Sequence, residues 1–370
     1  MSRLLCTGDL HAGKRLYKHD RSAELAEVLG EITDLAGRER VDAVLLAGDI
    51  FDSRTPSPAD ERLIYHWLYA LAQHHRVVAL TGNHDDPERL EALRPFTRGA
   101  GVRCITDVHP PDFRPNIVDL GDVCVCAMPW VTERRLLEAR DYLSDDRGRD
   151  AYSRLMPMVL EAAVDRMSAS KPRVLMAHLM IGGAVIGGSE RVLTVSETYA
   201  VNGGAMPRVD WTVLGHVHIA QNPPATPETT RYVGSPLRHD FSELHPRSVW
   251  LIDTESGDSS VIPLVTPYAM HNVHGTLDEL RAMEVDERSW VKATVQIPAP
   301  EVGIADRVYD AMGERCLAVM TDVPSPPEET PMPSLSTMNV RDLFASYLAS
   351  KNIDDPPLLD LFDNLLEETA

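Results

Sequence analysis

No apolar run in this 370-residue chain approaches the roughly 18 residues needed to cross a bilayer, which excludes a helical membrane span within it. Cysteine is scarce and oddly counted. Cys6, Cys104, Cys124, Cys126 and Cys316 lack zinc-type spacing, which argues against a disulfide framework and for reduced, buried thiols in a cytoplasmic protein. Cys124 and Cys126 alternate with valine in VCVCAM, so both are expected on one strand face. Positive charge is also short: 36 Lys and Arg stand against 56 Asp and Glu, a net charge of −20. Coating nucleic acid by bulk electrostatics is thereby excluded, because such binding rests on neutralising phosphates with Lys and Arg. A phosphate-ester substrate stays open, since divalent ions in a pocket reverse the local field. The N-terminus, MSRLLCTGDLH, enters an apolar strand at once, and no signal peptide is expected.

Hydrophobic residues make up 44% of the chain, enough for a large core, and the length suggests about two domains. Five short polar blocks carry the chemistry: Asp9-Leu10-His11, Gly48-Asp49-Ile50-Phe51-Asp52, Gly82-Asn83-His84-Asp85, His178, and Gly215-His216-Val217-His218. Each follows a largely apolar run: RLLC, DAVLLA, VVAL, VLMA and WTVL. Ligands in α/β sheets bind where parallel strands end, so five such ends bring these side chains to one place. Imidazole nitrogen with carboxylate oxygen suits Mn, Fe or Zn, and the number of donors is enough for two ions. Two ions about 3.5–4 Å apart stabilise both the attacking and the leaving oxygen of an in-line displacement. Alternation along an extended segment would set Asp9 beside His11, and His216 beside His218. Glycines at 8, 48, 82 and 215 permit sharp turns and close backbone approach. One such block alone is weak evidence. Five in order, each after a strand, is strong evidence.

Apolar spacing predicts helices over 20–38, 58–73, 87–97 and 152–167, the second after a Ser-Pro-Ala-Asp start signal. Strands are expected at 229–235, 247–253 and 259–264, in a second sheet packed on the first. A composition shift near Pro267 opens a βαβαβ unit over 268–323, and Pro-rich residues 324–333 form a stiff linker. The chain then ends in two amphipathic stripes, 340–350 and 357–367. Stripes beyond a linker usually dock on something.

The order GDLH, GDIFD, GNHD, a lone His and GHVH resembles the calcineurin-like metallophosphoesterases, and within them the SbcD-type DNA repair nucleases. Gly188-Ser189-Glu190-Arg191, and Tyr232-Val233-Gly234-Ser235-Pro236-Leu237 leading into Asp240-Phe241-Ser242-Glu243, support the narrower likeness. It covers essentially the whole chain. It implies a two-sheet α/β sandwich flanked by helices, with a small α/β cap and a helical tail. The implied domains are 1–266 (nuclease), 267–323 (cap), 324–333 (linker) and 334–370 (ATPase-docking tail).

Carried over, the resemblance assigns Asp9, His11, Asp49 and His218 to one ion. Asp49, Asn83, His178 and His216 go to the other, with Asp49 bridging. His84 would protonate the departing 3′ oxygen, and Asp52 would orient it. Mn(II) is the implied metal and DNA the implied substrate. The implied partners are a second copy of the chain and an SbcC-type coiled-coil ATPase bound through the tail. Arg238 and His239 are candidate substrate contacts, and Lys14, Arg15 and His19 follow the first ligand loop. The helices bearing Leu63, Trp67 and Leu71, and Leu90 and Leu93, are open to two readings, part of the core or, as the resemblance implies, a dimer contact. Departures from the pattern are Ser242, where relatives often carry glycine, and residues 193–197, which replace a glycine-rich segment. Neither touches a ligand. Two other readings share the metal core: a phosphoesterase for small substrates such as cyclic nucleotides, and a non-catalytic assembly subunit.

Overall fold

The computed structural model describes residues 2–132, 135–136, 152–190, 199–324, 340–351, 357–359 and 361–362. Residues 193–197, nearly all of the Pro-rich linker and most of the second tail stripe lie outside the described residues. The chain divides into two compact units, Met1–Val295 with Gly303–Met320, and Gln296–Val302 with Thr321–Ala370.

The first unit is built on two sheets. Strands Arg3–Thr7, Ala43–Leu46, Arg76–Leu80 and Val102–Ile105 run parallel. Ser248–Asp253 adds antiparallel to the first of these, and Ser259–Pro263 then forms the edge. The second sheet has the order Thr230–Tyr232, Trp211–Gly215, Arg173–His178, Cys124–Met128, Ile117–Asp119. Two strands expected in the second sheet, at 247–253 and 259–264, therefore belong to the first. Alternation shows which face of a strand is buried, but not which remote edge it will pair with.

Alternation sorts the side chains into layers. Leu4, Cys6, Leu45, Val78 and Leu80 meet Val125, Ala127, Val174, Met176 and Val213 between the sheets. On the outer face of the first sheet, Leu5, Val44, Leu46 and Val77 pack on helices Ser22–Arg38 and Pro58–Ala72. On the outer face of the second, Cys124, Cys126 and Met128 pack with Leu155, Met156, Val159 and Leu160 of helix Tyr152–Val164. Cys124 and Cys126 share a face as expected, and all five cysteines are buried and free.

Local chemistry sets the helix boundaries. Ser57 caps Pro58–Ala72, accepting from the Asp60 backbone N–H, while the Asp60 carboxylate accepts from the Ser57 N–H. The helix expected over 87–97 is two, Pro87–Ala92 and Arg94–Gly99, meeting at Leu93. Pro95 has no N–H to continue the ladder, so the segment breaks there. Trp67, Leu71 and Leu90, candidates for core or dimer contact, lie in the core, and the Trp67 indole donates to the Leu29 carbonyl at 3.0 Å. Their helices instead expose Tyr69 and Phe96.

Beyond the sandwich come Ala269–Gly275, Ser289–Gln296 and Cys316–Asp322 in one sheet, with helices Leu277–Ala282 and Ile304–Met312 between them in sequence, as the pattern anticipates. Trp290 ties this sheet to the body: it is buried, and its indole donates to Glu24 at 3.0 Å. In the second unit, helix Val340–Ser350 exposes Leu343 and Tyr347, and Phe344 stacks on Phe362 at 4.1 Å. No helix among the described residues is long and apolar enough to cross a membrane.

The sheet interface is a continuous apolar layer. Leu45 is fully buried there, and Leu45→Ala should destabilise the protein by about 2–5 kcal/mol in urea unfolding without moving the m-value.

Candidate metal centre

Register levels the strand ends. Thr7 pairs with Leu46 and Leu46 with Ala79, so the loops after three parallel strands leave the first sheet side by side. Gly215 pairs with His178 across the second sheet, which places His178 and His216 together. The two sheets present these ends to one another, and Asp9, His11, Asp49, Asn83, His84, His178, His216 and His218 are all buried where they meet.

The backbone reaches this arrangement by a route that alternation does not describe. Asp9, His11 and Asp49 have φ of 50°, 46° and 48°, and His216 has 103°. Such values are uncommon outside glycine, though Asp and His tolerate them better than most residues. The expected extended pairing of Asp9 with His11 is therefore replaced by left-handed turns just past the strand end. Glycines make room. A Cβ on Gly82 would stand 2.0 Å from Asp49 Oδ1, and one on Gly215 would stand 1.9 Å from the Ala47 carbonyl oxygen.

Hydrogen bonds behind the cluster set which ring nitrogens face inward. His178 Nδ1 donates to the Ala47 carbonyl at 2.8 Å, leaving its Nε2 to face the centre, 3.0 Å from Asn83 Oδ1 and 3.4 Å from Asp49 Oδ2. His216 Nδ1 meets the same Asn83 oxygen at 2.9 Å. On the other side, His218 Nδ1 lies 2.6 Å from Ser189 Oγ and 3.4 Å from Glu243 Oε1, and its Nε2 faces His11 Nε2 at 3.0 Å. His11 Nε2 is 3.6 Å from Asp49 Oδ2. Asp49 thus stands between two groups of donors. Ring nitrogens and carboxylate oxygens this close together and out of water form a donor set that suits a divalent ion in each group. Such ions fit the residues present: Asp49, His178 and His216 form one cluster that could hold a metal, and Asp9, His11 and Asp49 another.

Electrostatics follow from burial. Asp9 is raised above the usual carboxylate range by desolvation, partly offset by His178 and His218. Burial alone would raise Asp49 as well, but the neighbouring His178, His11 and His84 pull it well down. Burial opposes the charged form of His178, yet Asp49 and Asp9 lift it to about 9. His11 is lowered to about 4, chiefly by burial.

His84 Nδ1 donates to the Asp52 backbone carbonyl at 2.8 Å, and its own backbone N–H donates to Asp49 Oδ1 at 2.9 Å. The Asp52 carboxylate is farther from His84 Nδ1, at 3.8 Å. It lies nearer His11 Nδ1 (3.4 Å) and Lys14 Nζ (3.2 Å), so its side chain braces His11 more closely than His84. His239 is only 3% exposed and packs against the rings of His11 and His218. Arg238 is half-buried, and its guanidinium reaches the Leu244 carbonyl at 3.4 Å.

Several supporting residues escape a reading of the ligand blocks. Glu190 accepts the His218 backbone N–H at 3.1 Å together with those of Gly187 and Gly188. Glu243 pairs with buried Arg247 at 2.7 Å and hydrogen-bonds Ser189. Both lie in stretches that stand out in the sequence, GSER and DFSE, but residue type alone does not show what they touch. Asp85 accepts from Gly82, Phe51 and Ile50 and so ties two ligand loops together. Trp130 stacks on His216 with ring centroids 5.1 Å apart. It follows strand Cys124–Met128 by two residues, the same strand-end signal that picked out the converging donors.

This two-sheet sandwich, with histidine and aspartate converging at its strand ends, is the architecture of a metallophosphoesterase. Residues 2–220 match the family model described as calcineurin-like phosphoesterase, and the chain belongs to that family. The SbcD subunit of nuclease SbcCD from Bacillus subtilis (strain 168) is 30% identical over 313 residues, 80% of this chain and 79% of that protein. Its counterpart from Rhodobacter capsulatus is 32% identical over 289 residues, covering 72% and 70%. That of Escherichia coli (strain K12) is 24% identical over 311 residues, covering 78% and 76%. Within the phosphoesterases, the chain belongs to the SbcD family.

The contact at Gly82 leaves no space for a methyl group. Gly82→Ala should destabilise the fold by about 1–3 kcal/mol and weaken divalent-ion binding by displacing Asp49, checked by thermal melts with and without chelator and by calorimetric titration with Mn(II).

Proposed function

We propose that this chain is the nuclease subunit of a complex with an SbcC-type coiled-coil ATPase, cutting DNA phosphodiesters as an exonuclease and endonuclease with two Mn(II) ions. The observation that carries this reading is the meeting of seven buried donors in two groups around Asp49. The nuclease name carried by the SbcD relatives supports DNA as substrate.

Asp9, His11, Asp49 and His218 would hold one ion, and Asp49, Asn83, His178 and His216 the other. The mixed nitrogen and oxygen set suits Mn(II). Bound there, two divalent ions supply positive charge at both the attacking and the leaving oxygen of an in-line displacement. His84 supplies the proton. With Nδ1–H committed to the Asp52 carbonyl, its Nε2 is the nitrogen left to deliver a proton to the departing 3′ oxygen. Asp52 holds His84 through its backbone and His11 through its carboxylate, so one residue orients an acid and a ligand together.

The ATPase partner would supply much of the DNA affinity, which accords with the acidic balance of this chain. Residues 334–370 would dock on that partner, with Leu343 and Tyr347 of helix Val340–Ser350 offering exposed apolar contact. Residues 267–323 would act as a cap, and the exposed Tyr69 and Phe96 suit contact with a second copy.

His84→Ser should lower Mn(II)-dependent cleavage of linear duplex DNA by about 10²–10⁴-fold while two ions still bind; cleavage at the native rate would remove His84 from the chemistry. Deleting residues 334–370 should abolish co-purification with the ATPase and leave Mn(II) binding intact. Undiminished association would move the docking surface elsewhere.

A further inference from the structure

The half of the centre formed by His11 and His218 contains one histidine more than the ligand assignment uses. His239 reaches it from the segment after Tyr232, next to the GSP block. Its ring centroid lies 4.8 Å from that of His11 and 4.9 Å from that of His218, while those two are themselves 4.8 Å apart. The three imidazoles thus form a nearly equilateral triangle. One ring nitrogen of each lies within 4.8 Å of the others, close to the span of two metal–nitrogen bonds of about 2.0–2.1 Å each.

The protonation pattern of His239 is that of a ligand. Its Nε2 lies 3.3 Å from the Asp9 backbone carbonyl, which can only accept, so Nε2 carries the proton and the lone pair is on Nδ1. That Nδ1 is buried and has no hydrogen-bond partner. A buried polar atom without a partner costs about 1–3 kcal/mol, and native structures rarely leave one without a reason. A histidine held by a backbone carbonyl through one nitrogen and offering the other to a cation is the usual arrangement at metal sites.

The surroundings hold His239 in place for this role. Its backbone N–H donates to Glu243 Oε2 at 2.9 Å, and the other oxygen of that carboxylate lies 3.4 Å from His218 Nδ1. One carboxylate therefore positions both histidines, and Arg247 locks it from behind at 2.7 Å. Substrate contact, the role the sequence suggested for His239, needs an open face. The ring, 3% exposed, is turned instead against His11 and His218.

We propose that His239 is a protein ligand, through Nδ1, to the divalent ion held by His11 and His218, giving that ion three imidazoles while the ion at His178 and His216 has two. This rests on the reading of the cluster as a two-ion centre. The two ions then differ in donor softness, and the His239 side favours metals that bind imidazole strongly.

The test uses the full-length protein, its His239→Gln variant and its His239→Cys variant, each first shown to melt cooperatively in chelator. Calorimetric titration with Mn(II) should find two ions in the native protein. In His239→Gln, one should weaken by at least about tenfold with the other unchanged. Loaded with Co(II), His239→Cys should show a thiolate-to-metal charge-transfer band in the near ultraviolet that the native protein, with its five buried cysteines, lacks. Unchanged Mn(II) affinities in the Gln variant overturn the proposal. So does the absence of the band in a Cys variant that binds Co(II), because His239 would then act on the ligands only by position. If the native protein itself fails to bind two ions, the two-ion reading fails first, a result distinct from either of these.

Discussion

Ring nitrogens and carboxylate oxygens crowded together out of water are the constraint that the surrounding structure serves. Asn83 Oδ1 faces the ring nitrogens of His178 and His216, and His11 Nε2 faces His218 Nε2, each at about hydrogen-bond distance, inside a region with almost no solvent contact. Groups of this kind forgo hydration at a cost unless protons or a cation lie among them. The fold must therefore hold them against their own preference. It does so with backbone in the left-handed region at Asp9, His11 and Asp49, each costing of order 1–3 kcal/mol, and with neighbours that leave little room to relax.

The resistance to relaxation comes from cross-bracing between sheets. The first sheet contributes the Ala47 carbonyl that fixes the tautomer of His178 in the second, and the His216 backbone N–H donates back to Asp9 at 2.9 Å. Neither sheet could present half of the centre alone. The apolar interface beneath, from Leu4 and Leu45 to Val174 and Val213, keeps the two sets of strand ends at a constant separation. Glu190 and Glu243 repeat the pattern at the rim, where residues far apart in sequence converge on His218. Precision at the site is thus a property of the sandwich rather than of any one loop.

The sequence disclosed a large part of this. A polar block after each of five apolar runs picked out the side chains that converge, because a strand-end position and a residue type able to bind metal are both local signals. Ser57 and Asp60 announced the helix that begins at Pro58, since a cap acts within four residues. Less legible was everything that depends on remote pairing. Nothing in residues 247–264 says that they add to the sheet begun at Arg3. Nothing in Trp67 distinguishes a core indole bonded to Leu29 from one at a dimer face. The paired orientation of Asp9 and His11, expected from alternation, arises from left-handed turns that only the packing around Asp49 enforces.

What the sequence alone determined was the inventory: which side chains can hold ions, that they follow strands, and that a helical tail lies beyond a proline-rich stretch. Those features are written in residue type and short spacing. Tertiary structure decided the geometry, including which nitrogens of His178 and His218 face inward, which carboxylate braces which ring, and that His239 packs against His11 and His218. These outcomes depend on groups separated by up to 230 positions in the chain, such as His239 and the Asp9 carbonyl. Contacts that distant form only when two sheets close on one another, and no local pattern carries them.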